Sequence, residues 1–418
     1  MNLTEQMNRL GRQARDASAV LAGLTTATKN AALATMAAIL IERQAELLSA
    51  NAADLTDARE AGLSSAMLDR LTLNPARIAT MAAGLRELAA LPDPIGEIVK
   101  GWRRPNGLLI EQVRVPLGVI GFIYESRPNV TADAAGLCLK SGNALILRGG
   151  KEALRSNLAI AEVLTRAGES AGLPAHAMQM VDTADREAAR LLMRMNACVD
   201  VLIPRGGPSL IGAVVEHATI PILFHGAGIC HTFIDESADA EMAERIVLNA
   251  KAQRPSVCNA METLLVHTAA APRLLPQLAN ALTVHGVALR GCERSRALVP
   301  TMLAATEADW DAEYLDLILA VRVVDSVDDA IAHIHRHGTK LAESIVTNDL
   351  ARSRQFLQQV DAAAVYVNAS TRFTDGGEFG FGGEIGISTG KLHARGPLGL
   401  EALTTTKYWI HGAGQVRE

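Results

Sequence analysis

The residue best placed for covalent chemistry is Cys258, in the stretch Gln253-Arg254-Pro255-Ser256-Val257-Cys258-Asn259-Ala260 that leads into the apolar run Thr263 to His267. A thiol near a chain reversal, flanked by polar residues and by Arg254, can have a lowered pKa and act as a nucleophile. The alternative is a buried filler thiol, and Cys138, Cys198 and Cys230, set among Leu, Ala, Val and Ile, read that way. Two turns carry a second kind of chemistry. Leu145-Ile146-Leu147 runs into Arg148-Gly149-Gly150-Lys151, and Val201-Leu202-Ile203 into Pro204-Arg205-Gly206-Gly207. Glycines let a backbone approach a phosphate, helix N-termini favour anions, and arginine grips a phosphate with two bonds. Ordinary tight turns look the same, and the chain contains no GxGxxG fingerprint, so both readings of these turns stand.

Three other patterns read as decoys. Gly386-Ile387-Ser388-Thr389-Gly390 matches GxSxG but follows a glycine-rich loop instead of the hydrophobic strand that a nucleophile elbow requires. Gly386 to Lys391 is one residue short of a phosphate loop, with Leu392 where a magnesium-binding Ser or Thr belongs. On a helix, His335 points away from His333 and His337, and Gly338 marks a helix end where histidines suit the dipole, so the trio reads as solvated surface and no metal is expected. The five cysteines form an odd number without a CxxC pair, which disfavours a disulfide framework and a structural zinc.

These residues need a scaffold, and 418 residues predict two or three domains with ample core. With 40 Lys+Arg against 45 Asp+Glu the net charge is −5, the basic residues are scattered, and nucleic acid is not an expected partner. The longest mostly apolar run, Ala31 to Ile41, falls far short of the roughly 20 residues a membrane span needs. The N-terminus lacks the continuous core of a secretory signal, so a cytoplasmic location is expected.

Apolar residues at helical spacing from Met7 to Leu24, Leu33 to Leu47 and Met81 to Leu91 predict a helical opening, with a polar break around Asn51 to Asp57. Pro105-Asn106-Gly107 between β-rich flanks predicts a two-stranded ribbon after Ile98. Apolar runs at 119–124, 145–147, 178–181, 199–203 and 220–224 then alternate with helical stretches, which implies a parallel sheet covered on both faces. A second such series begins near Cys230 and includes runs at 263–267, 317–324, 344–347 and 365–368.

The order of these features resembles the aldehyde dehydrogenase superfamily over nearly the whole chain. Specific strings are similar to its γ-glutamyl phosphate reductase family: Tyr124-Glu125-Ser126-Arg127-Pro128-Asn129-Val130-Thr131, Asp200 to Gly207, Arg254 to Thr263, Glu313-Tyr314-Leu315-Asp316, Gly380 to Gly386 and Arg395 to Glu401. The resemblance implies two Rossmann-like parallel-sheet α/β domains plus a small β oligomerisation arm. Residues 1–97 and 116–228 would form a discontinuous cofactor-binding domain, 229–388 the catalytic domain, and 98–115 with 389–418 the oligomerisation hairpin and C-terminal arm. It further implies NADPH as cofactor and reduction of L-glutamate 5-phosphate through a thioester on Cys258, the second step of proline biosynthesis. Glu313 matches the carboxylate on the nicotinamide ribose and Arg148 the basic residue near the adenosine ribose, where an arginine suits a 2′-phosphate. Gly149, Lys151, Arg205, Gly206 and Gly207 join it as cofactor-binding candidates. Arg127, Arg254 and Ser256 are candidates for the leaving phosphate and the substrate's charged groups, and Ser126 or Asn129, with the Cys258 N–H, for the oxyanion.

The chain departs from the superfamily in two places and from the reductase family in a third. Phe224 stands where hydrolytic members carry the glutamate that activates water, so no general base is expected there. Ser126 replaces the oxyanion-hole asparagine, and Leu341-Ala342 replaces a His-Thr pair. The partners implied are a small acyl-phosphate substrate, a glutamate 5-kinase channelling it, and further copies of the chain in a homodimer or homotetramer. Another phosphorylating or CoA-dependent acyl reductase, or a non-catalytic nucleotide-binding oligomer, are the competing readings.

Overall fold

The computed structural model describes residues 2–224 and 226–417, which divide into two compact units. The first comprises residues 2–224, 380–386 and 398–417; the second, residues 226–379 and 387–397. The division thus falls near 224, four residues before the expected boundary, and 389–397 sits with the second unit instead of the C-terminal arm.

The first unit opens with helices α1 (Leu3–Leu21), α2 (Thr26–Glu42), α3 (Gln44–Glu60), α4 (Ser65–Leu71) and α5 (Pro75–Ala90). Asn2 and Glu5 cap α1 reciprocally, each side chain accepting from the other's backbone N–H. The expected break at Asn51 to Asp57 is not one: α3 runs straight through it. Its polar residues face inward because they have partners there. Asn51 donates to Leu71 O (2.9 Å) and accepts from Leu73 N (2.7 Å), while Asp54 Oδ2 accepts from Ser156 N (2.8 Å) and Ser156 Oγ (2.6 Å).

Strands β1 (Ile98–Arg103) and β2 (Leu109–Pro116) form the expected hairpin, with Gly107 at φ +91° in its turn. β3 (Val119–Tyr124) and β4 (Ala144–Arg148) flank α6 (Val130–Lys140). α7 (Leu154–Ser170), β5 (Met178–Met180), α8 (Arg186–Leu192), β6 (Val201–Arg205) and α9 (Pro208–His217) follow. β5-β4-β3-β6 form an all-parallel sheet whose β3 is buried along its whole length. The run 220–224 contributes only a single bridge, Ile222 to Leu202, since Pro221 has no N–H to extend a ladder.

In the second unit, β7 (Cys230–Ile234), α10 (Ala240–Ala252), β8 (Met261–His267), α11 (Ala271–Val284), β9 (Ala288–Gly291), α12 (Glu293–Leu298), β10 (Leu303–Ala304), α13 (Glu307–Trp310), β11 (Ile318–Val324), α14 (Val327–His337), β12 (Ala342–Val346), α15 (Leu350–Gln359) and β13 (Ala364–Val367) build a seven-stranded parallel sheet. Its order is β10-β9-β11-β8-β7-β12-β13. Alternate residues feed two cores: Ile234, Leu264 and Val346 pack with α10 and α11, and Phe233, Leu265 and Ile345 with α14 and α15. β14 (Ile387–Ser388) and β15 (Gly396–Pro397) form a two-stranded ribbon. β16 (Thr404–His411), in the first unit, pairs antiparallel with β2 to complete a three-stranded sheet with Tyr408, Trp409 and Ile410 exposed. No helix among the described residues is long and apolar enough to cross a membrane.

Candidate active site

In the first unit, the candidate residues gather where parallel sheets bind ligands, beyond the carboxyl ends of β3, β4 and β6. Ser126 follows β3 in the left-handed region (φ +45°), a conformation that costs a non-glycine residue energy. Its N–H and hydroxyl both donate to Glu152 Oε1, at 2.9 and 2.5 Å, so the one hydroxyl proton is committed. Asn129 Nδ2 donates one of its two hydrogens to Asp133 Oδ2 (3.0 Å). Arg127 lies between them. Burial raises the Asp133 carboxyl to about 6, against the opposing effects of Asn129 and of the nearby Arg205 charge.

Arg148 ends β4 with Nη2 donating to Ala184 O (3.1 Å), while its Nε is buried without a partner. A Cβ on Gly149 would stand 2.1 Å from Asn157 Nδ2, so a larger residue here would have to displace that amide. Lys151 is exposed. At the end of β6, Arg205 lies 3.7 Å from Glu384, and a Cβ on Gly206 would press on the Glu125 carboxylate at 2.6 Å. Glu125 Oε2 accepts from Gly207 N at 2.9 Å. A carboxylate of the chain itself therefore occupies a donor that the sequence assigns to a phosphate. Glu125, Glu152 and Asp133 are what sequence reasoning missed here; only their closeness to strand ends signalled them.

In the second unit, Cys258 is half-buried three residues ahead of β8, its backbone tightly backed. A Cβ at Gly228 would lie 2.0 Å from Cys258 O, so the 226–229 segment touches the cysteine's main chain directly. Glu313 Oε1 accepts from Gly228 N at 2.7 Å, which ties that carboxylate to the same segment. Burial raises the Glu313 pKa, and the Gly228 N–H partly offsets the rise. Cys230 is fully buried and its thiol donates to Cys258 O (3.4 Å), a packing role that agrees with its sequence. Arg254 and Ser256 are exposed beside the thiol's loop.

Beneath this loop, Lys251 Nζ and Glu262 Oε2 form a fully buried pair at 2.5 Å. Glu262 Oε1 also accepts from Leu315 N (3.2 Å), and Leu315 itself adopts φ +53°. The pair thus anchors the turn that presents Glu313. Burial raises the Glu262 pKa to about 7 despite Lys251. Sequence reasoning also missed Arg372, just past β13, which donates to Asn259 Oδ1 and to Gln253 Oε1 (2.9 Å) and whose pKa burial lowers. Its run, Ser370-Thr371-Arg372, resembled any turn after a strand.

Two sequence expectations need correction. His335 is exposed, close to Gln359 O (3.0 Å), but His333 and His337 are buried and stack with their ring centroids 4.5 Å apart, so the trio is not a solvated surface. His333 meets the rings of Trp310 and His231 edge-on, and His337 packs on His333 and pairs with Asp311, which holds both histidines inward. Cys198 is half-buried where full burial was expected. Leu341 and Ala342 are fully buried in the core around Cys230, which leaves neither free to touch a substrate.

The sequence pattern of the aldehyde dehydrogenase family matches residues 3–288 and 282–409. The chain is 62% identical over 418 residues, all of both chains, to a gamma-glutamyl phosphate reductase from Moorella thermoacetica. A crystal structure of gamma-glutamyl phosphate reductase from Thermotoga maritima superposes with a TM-score of 0.97 at 48% identity, covering 99% of this chain and 100% of that one. An acetylating aldehyde dehydrogenase from Geobacillus thermoglucosidasius, 17% identical with a TM-score of 0.69 over 100% of this chain and 98% of that one, shares the fold.

Proposed function

The chain belongs to the aldehyde dehydrogenase family, in the branch of the gamma-glutamyl phosphate reductases, and we propose on that premise that it reduces L-glutamate 5-phosphate to L-glutamate 5-semialdehyde, the second step of proline biosynthesis. The observation that carries the reading is Cys258, half-buried and braced by Gly228, with Glu313 bonded to the same segment. Cys258 Sγ attacks the acyl carbon and the C–O bond to phosphate breaks, leaving an acyl thioester and inorganic phosphate. Reduction of the thioester and collapse of the thiohemiacetal return the thiol and free the semialdehyde. The nicotinamide cofactor supplies the hydride for that reduction.

The residues fit such a cofactor. Arg148, with its Nε lacking a partner, and the exposed Lys151 lie beside Gly149, where a Cβ would crowd the Asn157 amide, and together they suit an adenosine ribose bearing a 2′-phosphate, hence NADPH. Arg205, Gly206 and Gly207 hold the cofactor only if Glu125 yields the Gly207 N–H, so they rank behind Arg148 and Gly149. Glu313 takes the nicotinamide ribose. Of the two oxyanion candidates in the first unit, Ser126 has spent its only proton on Glu152, whereas Asn129 keeps one N–H, and the reading therefore favours Asn129. Arg127 in the first unit, and Arg254 and Ser256 in the second with Arg372 bonded to the neighbouring Gln253, are assigned to the substrate's phosphate and carboxylate charges. Phe224 offers no base to activate water, which lets the thioester persist for hydride or phosphate.

The sheet β1-β2-β16, with its exposed Tyr408, Trp409 and Ile410, serves self-association into a homodimer or homotetramer. The enzyme works in the cytoplasm on an acyl phosphate received from a glutamate 5-kinase. Cys258→Ser tests the assignment: turnover is expected to vanish with NADPH binding retained, and unchanged turnover would sink the cysteine.

A further inference from the structure

The second sheet reverses its winding beside β11. β9 continues through α12 to β10 at the sheet's edge, whereas its parallel neighbour β11 continues through α14 to β12, beyond β8 and β7. α12 packs on the core of α10 and α11, and α14 on the opposite face. Crossovers that leave adjacent strands in opposite directions open a crevice past the strands' carboxyl ends, the place where open parallel sheets bind ligands. Here a cavity of about 300 Å³ runs along α14 from the carboxyl end of β11. Cys258 enters β8 from the other end. β8 pairs with β11 so that Val324 lies opposite His267, and seven residues of strand span roughly 20 Å.

The walls of this cavity are positively charged and unsatisfied. Arg322 has no carboxylate partner among the described residues; its guanidinium stacks on Trp310, 5.5 Å from the ring centroid, which leaves its N–H edge available. Arg336, in the last turn of α14, likewise has no ion pair among the described residues. His333 is 6% exposed and its Nε2 is buried with no hydrogen-bond partner, while His337 is held at Nδ1 by Asp311 (2.8 Å). Arg294 and Asp325 satisfy each other, and Asp329 is the one carboxylate left in the wall against the two free guanidiniums. Burial first, and then the charges of His231, His337, Arg322 and Arg336, hold the His333 pKa far down, so this imidazole stays neutral beside the two guanidiniums.

We propose that this crevice is a second ligand site, distinct from the thiol centre, which binds a small oxyanion, phosphate or carboxylate, between Arg322, Arg336 and His333. Two guanidiniums converging on one cavity match the paired oxygens of such an anion, and its charge relieves their mutual repulsion.

Trp310 reports on the site because Arg322 lies on its ring, and the chain has only two other tryptophans, Trp102 and Trp409. In full-length W102F/W409F protein at constant ionic strength, inorganic phosphate and acetate are titrated separately while Trp310 emission is read. The expected result is a saturable change with a dissociation constant on the order of 1 mM. It should weaken at least tenfold in R336Q, an exposed change that leaves the core intact, and survive C258S/R254Q, which removes the nucleophile and the arginine nearest it in sequence. Saturation by phosphate alone assigns a phosphate ligand, and by acetate alone a carboxylate; either supports the site. No saturable change with either anion, or one unaltered by R336Q, overturns it.

Discussion

Gly228→Ala tests how closely the thiol's placement depends on the segment that backs it. An added Cβ would stand 2.0 Å from Cys258 O and 2.7 Å from Cys258 C, both backbone atoms that cannot swing aside. Restoring a tolerable contact moves the Cys258 peptide by roughly 1 Å, and a displacement of that size at a reacting centre costs about 10²-fold in rate. Overpacking costs about 1–3 kcal/mol of stability in addition. The shift also strains the Gly228 N–H to Glu313 bond, so cofactor affinity should fall together with kcat. Gly226→Ala is the control, since a Cβ there meets nothing within 4 Å. The assay is semialdehyde oxidation for kcat and KM, paired with urea unfolding. A G228A enzyme within about twofold of wild type in kcat/KM, or a G226A enzyme that loses as much, would refute the claim that this contact sets the nucleophile.

Asn129→Ala should lower kcat by about 10²–10³, as loss of an oxyanion donor does, whereas Ser126→Ala should cost less in kcat and more in stability because it frees Glu152; the reverse order of kcat losses would return the oxyanion to Ser126. Arg148→Gln should raise the KM for NADP⁺ about tenfold or more, the loss of a charge-assisted phosphate contact, and leave the KM for NAD⁺ nearly unchanged; parallel increases would remove Arg148 from the 2′-phosphate. Asp133 has a folded-state pKa of about 6, above its unfolded value, so the group favours the fold below about pH 4 and that advantage is lost as pH rises through 6. Urea midpoints of Asp133→Asn should therefore depend less on pH between 4 and 6 than those of the parent, and an unchanged slope would place the carboxylate in water.

What could be read from the sequence was what depends on local pattern. Val119-Ile-Gly-Phe-Ile-Tyr124 is a continuous apolar run because both faces of β3 are covered, and the Asn106-Gly107 pair marks a turn that needs positive φ. Cys258 stood out by its polar surroundings and by the strand behind it. The hidden features depend on distant partners. Asn51 and Asp54 look like a helix break until Leu71, Leu73 and Ser156 are brought to them. β9 (Ala-Leu-Arg-Gly) is too short to show a period. The choice between Ser126 and Asn129 depended on a hydrogen bond to Glu152, 26 residues away. The burial of His333 and His337 depends on Trp310, His231 and Asp311, which are remote in sequence.

The central claim is an acyl thioester on Cys258 that phosphate, and not water, resolves. The most direct measurement runs the reaction in its easier direction, glutamate 5-semialdehyde with NADP⁺, and follows NADPH absorbance with and without inorganic phosphate. NADPH is expected to accumulate only when phosphate is present, with arsenate able to replace it. Equal NADPH formation without phosphate would mean that water resolves the thioester, contradicting both the role given to Phe224 and the reductase assignment.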